Sequence, residues 1–303
     1  MPLLLRILKL LTLSAAFLMA GAQQLGLTFD DGLNPDTEPH APRWSAQILA
    51  GLRQAELTAM AFPSLARTGE GQGLALIRQW AEAGHAIGNH TASHRSLSLP
   101  SITLAGFIAD VDRTDAVFGS YPNRVPLLRF PYLKEGNSVE RRDGMRAWMQ
   151  AHGYRAAPVS IDASDGYYDQ VYAAHIAKGD TDRASRVKRA YIQHLLDRAS
   201  YYEALAVTTL GRSPAHVLRL HTNQINADAL GEIVAAFRAR DWTLVNPCIA
   251  FDDPLYARQP ETLPAGETIV WALARQAGHA GLRYPAEDST DEAPVLCAQG
   301  LLP

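Results

Sequence analysis

Short apolar runs alternate with longer amphipathic segments along most of the chain. The runs are four to six residues long, as buried strands are, and apolar residues in the longer segments recur three and four positions apart, as on one helix face. This alternation predicts parallel β/α units, arranged either as a barrel or as a doubly wound sheet. The predicted strands are residues 25–29, 57–62, 85–89, 125–130, 157–161, 216–220 and 242–245, and the predicted helices between the earlier strands are residues 42–57, 74–84, 103–119 and 138–153.

Two segments depart from this alternation. Residues 180–210 carry one long helical pattern, and residues 247–303 are rich in Pro and Gly with a short predicted helix at 267–278. The final segment has few core-forming runs, so it is predicted to be a C-terminal extension packed on the domain formed by residues 23–246.

The first 22 residues predict a signal peptide. Arg6 and Lys9 give a positive start, residues 10–20 are apolar, and a small-x-small cleavage signal follows at residues 20–22. The apolar run is shorter than the roughly 20 residues that a membrane-spanning helix needs. We therefore expect an exported protein, periplasmic or extracellular, that lacks residues 1–22 and makes no stable membrane insertion.

Charge and cysteine content narrow the function classes. Of the 28 Lys and Arg residues, Arg6 and Lys9 lie in the predicted signal peptide, which leaves 26 against 31 Asp and Glu. An excess of acidic residues argues against a nucleic-acid partner, whose phosphates require a basic surface. Cys248 and Cys297 are the only cysteines. They either form a disulfide after export or remain two separate buried thiols, and both alternatives stay open.

Two adjacent carboxylates, Asp30 and Asp31, end the first predicted strand in the sequence TFDDG (28–32). Neighbouring carboxylates repel each other and suit strand geometry poorly. Either a loop solvates them, or a cation or a chemical task holds them in place. Because successive side chains at a strand end point in different directions, one carboxylate can bind a metal ion while the other stands beside a water molecule as a base.

Two histidines four positions apart follow the third predicted strand in GNHTASH (88–94). On a helical turn, His90 and His94 would lie roughly 40° apart on one face and could bind the same metal ion. Such a pair is weak evidence alone, but the carboxyl ends of parallel strands gather at one mouth of a β/α fold, where TFDDG also ends. Two imidazoles and one carboxylate leave an open position for water, as in hydrolytic metal sites.

Other strand ends also carry titratable groups. Arg129 lies at the end of the fourth predicted strand, Asp162 and Asp165 follow the fifth, and His221 follows the sixth. Each has an ordinary structural interpretation, as a rim ion pair, a turn residue or a helix cap. Together they favour a site, because five strand ends each provide a titratable group in a chain with only 10 His.

The order and spacing of these motifs resemble the five motifs of the polysaccharide deacetylases, the NodB-homology group of carbohydrate esterase family four. The resemblance covers about residues 25–245 and implies a distorted (β/α) barrel of about seven strands, followed here by the C-terminal extension. The matching motifs are TFDDG, HTASH, RFPY, DASDG and LRLH.

The resemblance also implies a metal centre and a base. Asp31, His90 and His94 would be the ligands of a single Zn²⁺ or another divalent transition metal. Asp30 would be the catalytic base, held in place by Arg129.

An acid and a substrate pocket follow from the same resemblance. His221 would be the catalytic acid, oriented by Asp165, and the backbone N–H of Tyr132 would contact the oxyanion of the reaction. The implied enzyme is a hydrolase that needs no organic cofactor and removes acetyl groups from an N-acetylated or O-acetylated polysaccharide. The residues assigned to substrate binding are Pro131, Tyr132, Tyr167 and Leu220.

Two positions depart from the family pattern. Leu33 follows TFDDG where the family usually has Pro, and Gly166 follows Asp165 where the family usually has Trp against the pocket. The space at Gly166 is either open or filled by a neighbouring tyrosine.

Three functions therefore remain open. The chain could be a deacetylase, a catalytically silent carbohydrate-binding relative, or a metallohydrolase of another class such as a phosphoesterase. The presence of both a base and an acid favours the first, since binding alone requires neither.

Overall fold

The computed structural model describes residues 23–285 and 289–303, so the predicted signal peptide lies outside the described residues. Most predicted strands occur, with ends shifted by a few residues. The strands are β1 Gln24–Asp31, β2 Met60–Pro63, β3 Ala86–Asn89, β4 Arg124–Leu128, β5 Lys134–Gly136, β6 Arg155–Ala156, β7 Ala215–His221, β8 Thr243–Val245 and β9 Ala265–Gly266.

Helices follow the amphipathic segments, and side-chain caps define several helix starts. Ser138 accepts a hydrogen bond from the amide of Arg141, and Asn223 does the same for Asn226. In the described ranges no helix has the length and apolar character to cross a membrane. The helices are α1 Ala41–Gln54, α2 Leu65–Thr68, α3 Gln72–Glu82, α4 Leu104–Phe118, α5 Val139–Ala151, α6 Asp165–Ala177, α7 Thr181–Leu210, α8 Gln224–Arg238, α9 Pro247–Ala250, α10 Ile269–Gln276 and α11 Ser289–Ala298.

The main sheet has seven strands in the order β6-β4-β3-β2-β1-β7, with β8 also paired to β1. All its pairings are parallel, and Asp30 is the register partner of both Phe62 on β2 and His221 on β7. Parallel pairing places the carboxyl ends of these strands at one edge. The mostly parallel, curled sheet with its surrounding helices confirms the predicted distorted (β/α) barrel.

The prediction of a regular strand at residues 157–161 is wrong. Regular pairing ends at β6, and the chain then crosses to the other edge of the sheet as an irregular segment. The amides of Ser160 and Ile161 donate to the carbonyl of Val217 at 3.2 and 3.1 Å, and the amide of Arg219 donates to Ile161 at 3.2 Å. This segment therefore joins the two sheet edges, and its buried apolar residues produce the strand-like pattern.

The C-terminal extension packs on the sheet and on α7. Ile269, Val270 and Leu273 of α10 lie in the same buried core cluster as the sheet residues, and the amide of Ile269 donates to the Val159 carbonyl at 2.8 Å. The predicted short helix is confirmed as α10. Both cysteines are free thiols. The alternative of two separate thiols is therefore the correct one, although Cys297 is exposed rather than buried and Cys248 is only partly buried.

Candidate active site at the carboxyl edge of the sheet

The two carboxylates at the end of β1 separate to different partners. Asp30 is fully buried and contacts Arg129, whereas Asp31 adopts a positive φ of 77° and lies partly exposed. Asp31 Oδ1 is 3.1 Å from His94 Nε2 and 3.7 Å from His90 Nε2. The turn after β1 therefore places the neighbouring carboxylates on different sides of the site.

The histidine segment is a loop and not the helical turn that its spacing suggested. Residues 90–94 have no helical assignment, and Thr91 and His94 have positive φ values of 64° and 52°. The amide of Thr91 donates to the Asn89 side chain at 2.9 Å, and the amide of His94 donates to the Thr91 hydroxyl at 3.2 Å. These side-chain bonds stabilise a tight loop that brings both imidazoles onto the same carboxylate.

Asp31, His90 and His94 fit a metal ion. Their ligand atoms all lie within 4.8 Å of one another. Ligands about 2.1 Å from a tetrahedral zinc ion are separated by about 3.4 Å, close to the two carboxylate–imidazole distances above. His90 Nδ1 lies 2.7 Å from the Arg129 carbonyl, so it donates there and leaves Nε2 as the ligand atom. Within the described ranges, this is the one cluster of three or more His, Cys, Asp or Glu groups with such geometry.

The electrostatics of this cluster favour metal ligation. Burial lowers the pKa of His90 to about 4, so its imidazole is neutral at neutral pH. Burial alone would raise the pKa of Asp31, but the hydrogen bond from His94 and the charge of His221 hold that pKa well below its usual range. A neutral imidazole beside an ionised carboxylate is the state that binds a divalent cation.

Arg129 fixes the second carboxylate. Its Nη1 donates to Asp30 Oδ1 and Oδ2 at 3.0 and 3.2 Å, its Nη2 to the Thr28 hydroxyl at 3.2 Å, and its Nε to the Ala157 carbonyl at 2.5 Å. The guanidinium also lies 4.4 Å from the ring centroid of Phe62. Arg129 therefore positions the carboxyl group of Asp30, whose Oδ2 lies 4.0 Å from His90 Nε2 and thus beside the proposed ion.

Asp165 and His221 form a second, separate pair. His221 Nδ1 and its backbone amide lie 2.7 Å from Asp165 Oδ1 and Oδ2 respectively. Burial would lower the pKa of His221, but the ion pair with Asp165 outweighs burial and raises that pKa to about 10. Burial likewise favours a neutral Asp165, yet the adjacent imidazolium lowers its pKa. His221 is thus a protonated imidazole at neutral pH, with Nδ1 committed to Asp165.

The residues assigned to substrate binding differ in their exposure to solvent. Tyr132 has a positive φ of 57° and a 47% exposed side chain, and its ring centroid is 4.9 Å from that of His94. Tyr167 is partly buried in the first turn of α6. Pro131 and Leu220 are buried, and Leu220 belongs to the core cluster, so its side chain packs beneath the site.

Tyr168, Tyr191 and Tyr202 do not occupy the space at Gly166. Tyr168 and Tyr191 are buried with ring centroids 5.6 Å apart, and Tyr202 packs on Arg198. Apart from residues 165 and 167 and the backbone of α6, no atom of the described residues lies within 4 Å of the position that a Cβ at Gly166 would take.

Several contacts at the site carried no signal in the motifs. Arg67 of α2 lies 3.5 Å from Asp31 Oδ2, and Asn226 of α8 donates to Asp165 Oδ2 at 2.9 Å. Asp162 pairs with Arg219 through two hydrogen bonds of 2.9 and 3.1 Å, which makes it more than a turn residue. In the motif LRLH, basic residues alternate with leucines, and this was the one feature of the sequence that could have indicated Arg219 as a residue near the site.

The polysaccharide deacetylase family model matches residues 19–157. This range contains the motifs of Asp30, Asp31, His90, His94 and Arg129, while Asp165 and His221 lie beyond it. The match confirms the resemblance inferred from the sequence. No curated protein matches the chain.

Solved structures with similar folds belong to the same group. A variant of a carbohydrate esterase family four pseudoenzyme with restored enzymatic activity has a TM-score of 0.53 and 15% identity, over 77% of this chain and 68% of that chain. The catalytic domain of a peptidoglycan N-acetylglucosamine deacetylase from Eubacterium rectale gives 0.53 and 15%, over 75% and 89%. A peptidoglycan deacetylase from Bacillus subtilis gives 0.50 and 20%, over 76% and 90%. At these identities the similarity shows the fold.

Proposed function

We propose that this protein, whose residues 19–157 match the polysaccharide deacetylase family model, is an exported, metal-dependent hydrolase that removes acetyl groups from an N-acetylated or O-acetylated polysaccharide. The observation that carries the proposal is the convergence of three ligand atoms, from Asp31, His90 and His94, within 4.8 Å of one another. Beside them stand a carboxylate fixed by an arginine and a protonated imidazole fixed by a carboxylate.

The metal ion held by Asp31, His90 and His94 would be Zn²⁺ or another divalent transition metal. When bound, it supplies Lewis-acid polarisation of the acetyl carbonyl and of a water molecule. His90 Nδ1 keeps its ring oriented through the Arg129 carbonyl, at 2.7 Å.

Asp30 acts as the base. It takes a proton from the water molecule as the water oxygen attacks the acetyl carbon. Arg129 holds the carboxyl group of Asp30 in position, since three of its nitrogens donate hydrogen bonds to groups around the end of β1 and to Ala157. The backbone N–H of Tyr132 is assigned to the oxygen that becomes negatively charged.

His221 acts as the acid. The C–N or C–O bond of the acetylated sugar breaks as His221 Nε2 gives its proton to the departing amine or hydroxyl, and acetate is released. Nε2 is the donor because Nδ1 is engaged by Asp165 at 2.7 Å.

A catalytically silent carbohydrate-binding protein is the second candidate, since a pseudoenzyme variant is among the structures of similar fold. The Asp30–Arg129 and Asp165–His221 pairs favour catalysis, because binding a sugar requires neither a buried carboxyl group held by an arginine nor a charged acid.

Acetate release distinguishes the two candidates. The mature protein, purified without affinity-tag histidines and loaded with zinc, is incubated with N-acetylated chito-oligosaccharides, peptidoglycan and acetylated xylan. We expect acetate from at least one of them and a strong loss in Asp30→Asn. Binding to a glycan without acetate release from any member of the panel would favour the silent protein.

A further inference from the structure

The short helix α2 attaches an arginine to the rim of the metal-ligand cluster. We propose that Arg67 binds a carboxylate of the substrate, so that the enzyme acts on an acetylated glycan with a carboxylate close to the acetylated sugar. The inference rests on the proposed function and adds a specificity-determining residue to it. The carboxylate could belong to a uronic acid or to the lactyl ether of muramic acid, which offer Arg67 the same chemistry.

Backbone hydrogen bonds fix α2 to both metal-ligand segments. The amide of Ser64 donates to the Asp31 carbonyl at 3.0 Å, and the amide of Ala66 donates to the Ala92 carbonyl at 2.7 Å. Asp31 is one ligand, and Ala92 lies between the other two in the histidine loop. The backbone position of Arg67 is therefore set by the same segments that hold the ligands.

The guanidinium of Arg67 has loose contacts with the cluster and faces solvent. Its Nε is 3.5 Å from Asp31 Oδ2, one Nη is 3.4 Å from His94 Nδ1, and its side chain is 47% exposed. A guanidinium has five N–H donors, and its planar fork matches a carboxylate. Contacts of this length leave most of that donor capacity for another acceptor.

Metal ligation by His94 would leave its Nδ1–H without a hydrogen-bond acceptor beside Arg67. When His94 gives its Nε2 to the ion, its Nδ1 carries the hydrogen and becomes a donor, so it no longer accepts from Arg67. His90 has a carbonyl for that purpose, at 2.7 Å. His94 instead faces a cation, so two donors point into one space. An anionic oxygen placed there accepts from both.

An exposed aromatic ring on the same imidazole suits a sugar. Tyr132 is 47% exposed and its ring centroid lies 4.9 Å from that of His94. Arg67 and Tyr132 thus both contact His94 at the open side of the site. An apolar ring face for a pyranose beside a guanidinium for its acidic substituent is the combination that an anionic glycan requires.

The test compares three tetrasaccharides that differ in charge. They are N-acetylchitotetraose, which is neutral, an oligomer of N-acetylglucosamine and glucuronic acid, and an oligomer of N-acetylglucosamine and N-acetylmuramic acid. Binding is measured by calorimetry on zinc-loaded protein in an Asp30→Asn background, and acetate release is measured on the wild type. Arg67→Gln is compared with Arg43→Gln, which removes an exposed arginine of α1.

We expect at least one acidic tetrasaccharide to bind roughly ten- to a hundredfold more tightly than the neutral one, as charge-assisted hydrogen bonds predict. Arg67→Gln should abolish this ratio, Arg67→Lys should restore part of it, and Arg43→Gln should preserve it. The acidic tetrasaccharide that shows the larger loss identifies the source of the carboxylate.

Two kinds of result overturn the inference, and they are distinguishable. If the wild type releases acetate from the neutral tetrasaccharide but shows no preference for either acidic one, or if Arg67→Gln leaves the ratio unchanged, Arg67 has no part in substrate choice. If no acetate is released from any of the three or from the wider panel that includes peptidoglycan and acetylated xylan, the proposed function fails, and the inference fails with it. If acetate is released only from acetylated xylan, the inference alone fails.

Discussion

The cluster of Asp31, His90 and His94 and the Asp165–His221 pair both combine carboxylates with imidazoles, yet His90 and His221 have opposite protonation states. Burial lowers the pKa of His90 to about 4, whereas Asp165 raises that of His221 to about 10. His221 Nδ1 lies 2.7 Å from its carboxylate, while the closest carboxylate oxygen to His90 Nε2 is 3.7 Å away.

The difference lies in what the second ring nitrogen contacts. His90 donates from Nδ1 to a backbone carbonyl, which is neutral and offsets only part of the cost of charging a buried ring. His221 donates from Nδ1 to an ionised carboxylate, which outweighs that cost. One edge of a sheet therefore holds one neutral and one protonated imidazole, which suit the proposed roles of metal ligand and acid.

The largest effect is expected from a substitution of Asp30, whose carboxyl group lies between these two regions. Asp30→Asn should lower kcat by about 100- to 10,000-fold because it removes the general base. It should keep about one equivalent of metal, since Asp31 and the two histidines remain. Metal analysis and acetate release on the same preparation check this. A variant that loses its metal would instead make Asp30 a ligand.

Removing the charge of Asp165 should make the pKa of His221 more like that of His90. Asp165→Asn takes away the partner that raises the pKa of His221, so the imidazole loses its proton at lower pH. We expect the alkaline limb of kcat/KM to move down by about one to three pH units. An unchanged limb would mean that His221 is not the acid.

The same substitution tests the linkage to stability. The pKa of His221 is raised from 6.5 to about 10, so its contribution to the free energy of unfolding is complete below about pH 6.5 and is lost as pH rises towards 10. The wild type should therefore lose stability over this window relative to Asp165→Asn. Urea unfolding of both proteins between pH 6 and pH 10 measures the difference.

A smaller effect is expected at Gly166, on the first turn of the helix that carries Asp165. Apart from its chain neighbours and the backbone of its own helix, a Cβ there meets no atom of the described residues within 4 Å, so Gly166→Trp should fold and narrow the proposed acyl pocket. Propionyl substrates should lose about tenfold relative to acetyl ones, with metal content unchanged.

The matched control for that substitution is Gly231→Trp in α8, where the Cβ position is equally open among the described residues. It should leave the acyl ratio unchanged. If Gly166→Trp also leaves the ratio and the melting temperature unchanged, then position 166 does not line the site.

The sequence predicted which residues form the site better than it predicted their local backbone geometry. Asp30, Asp31 and Arg129 follow strands whose pairing is parallel, so their meeting at one edge follows from the strand pattern alone. The helical turn assumed for His90 and His94 was wrong because local side-chain bonds to Asn89 and Thr91 stabilise positive φ values there. A spacing of four residues does not distinguish a helix from such a loop.

Contacts between distant segments account for what the sequence could not supply. Arg67 reaches Asp31 because the amides of α2 bond to the carbonyls of two separate segments, and no local pattern encodes that pairing. The strand-like run 157–161 buries its apolar residues while crossing between sheet edges, so burial alone produced its pattern. The fold class and the motif residues could be predicted from the sequence, whereas the geometry of the histidine loop and the contacts of Arg67 could not.

The division of labour between the two regions is tested most directly by comparing zinc content and acetate release in His94→Ala and His221→Ala. The account predicts about one zinc per chain in the wild type and loss of both zinc and activity in His94→Ala. It predicts that His221→Ala keeps its zinc and loses about 100- to 10,000-fold in kcat. Full zinc and full acetate release in His94→Ala, or loss of zinc in His221→Ala, would contradict it.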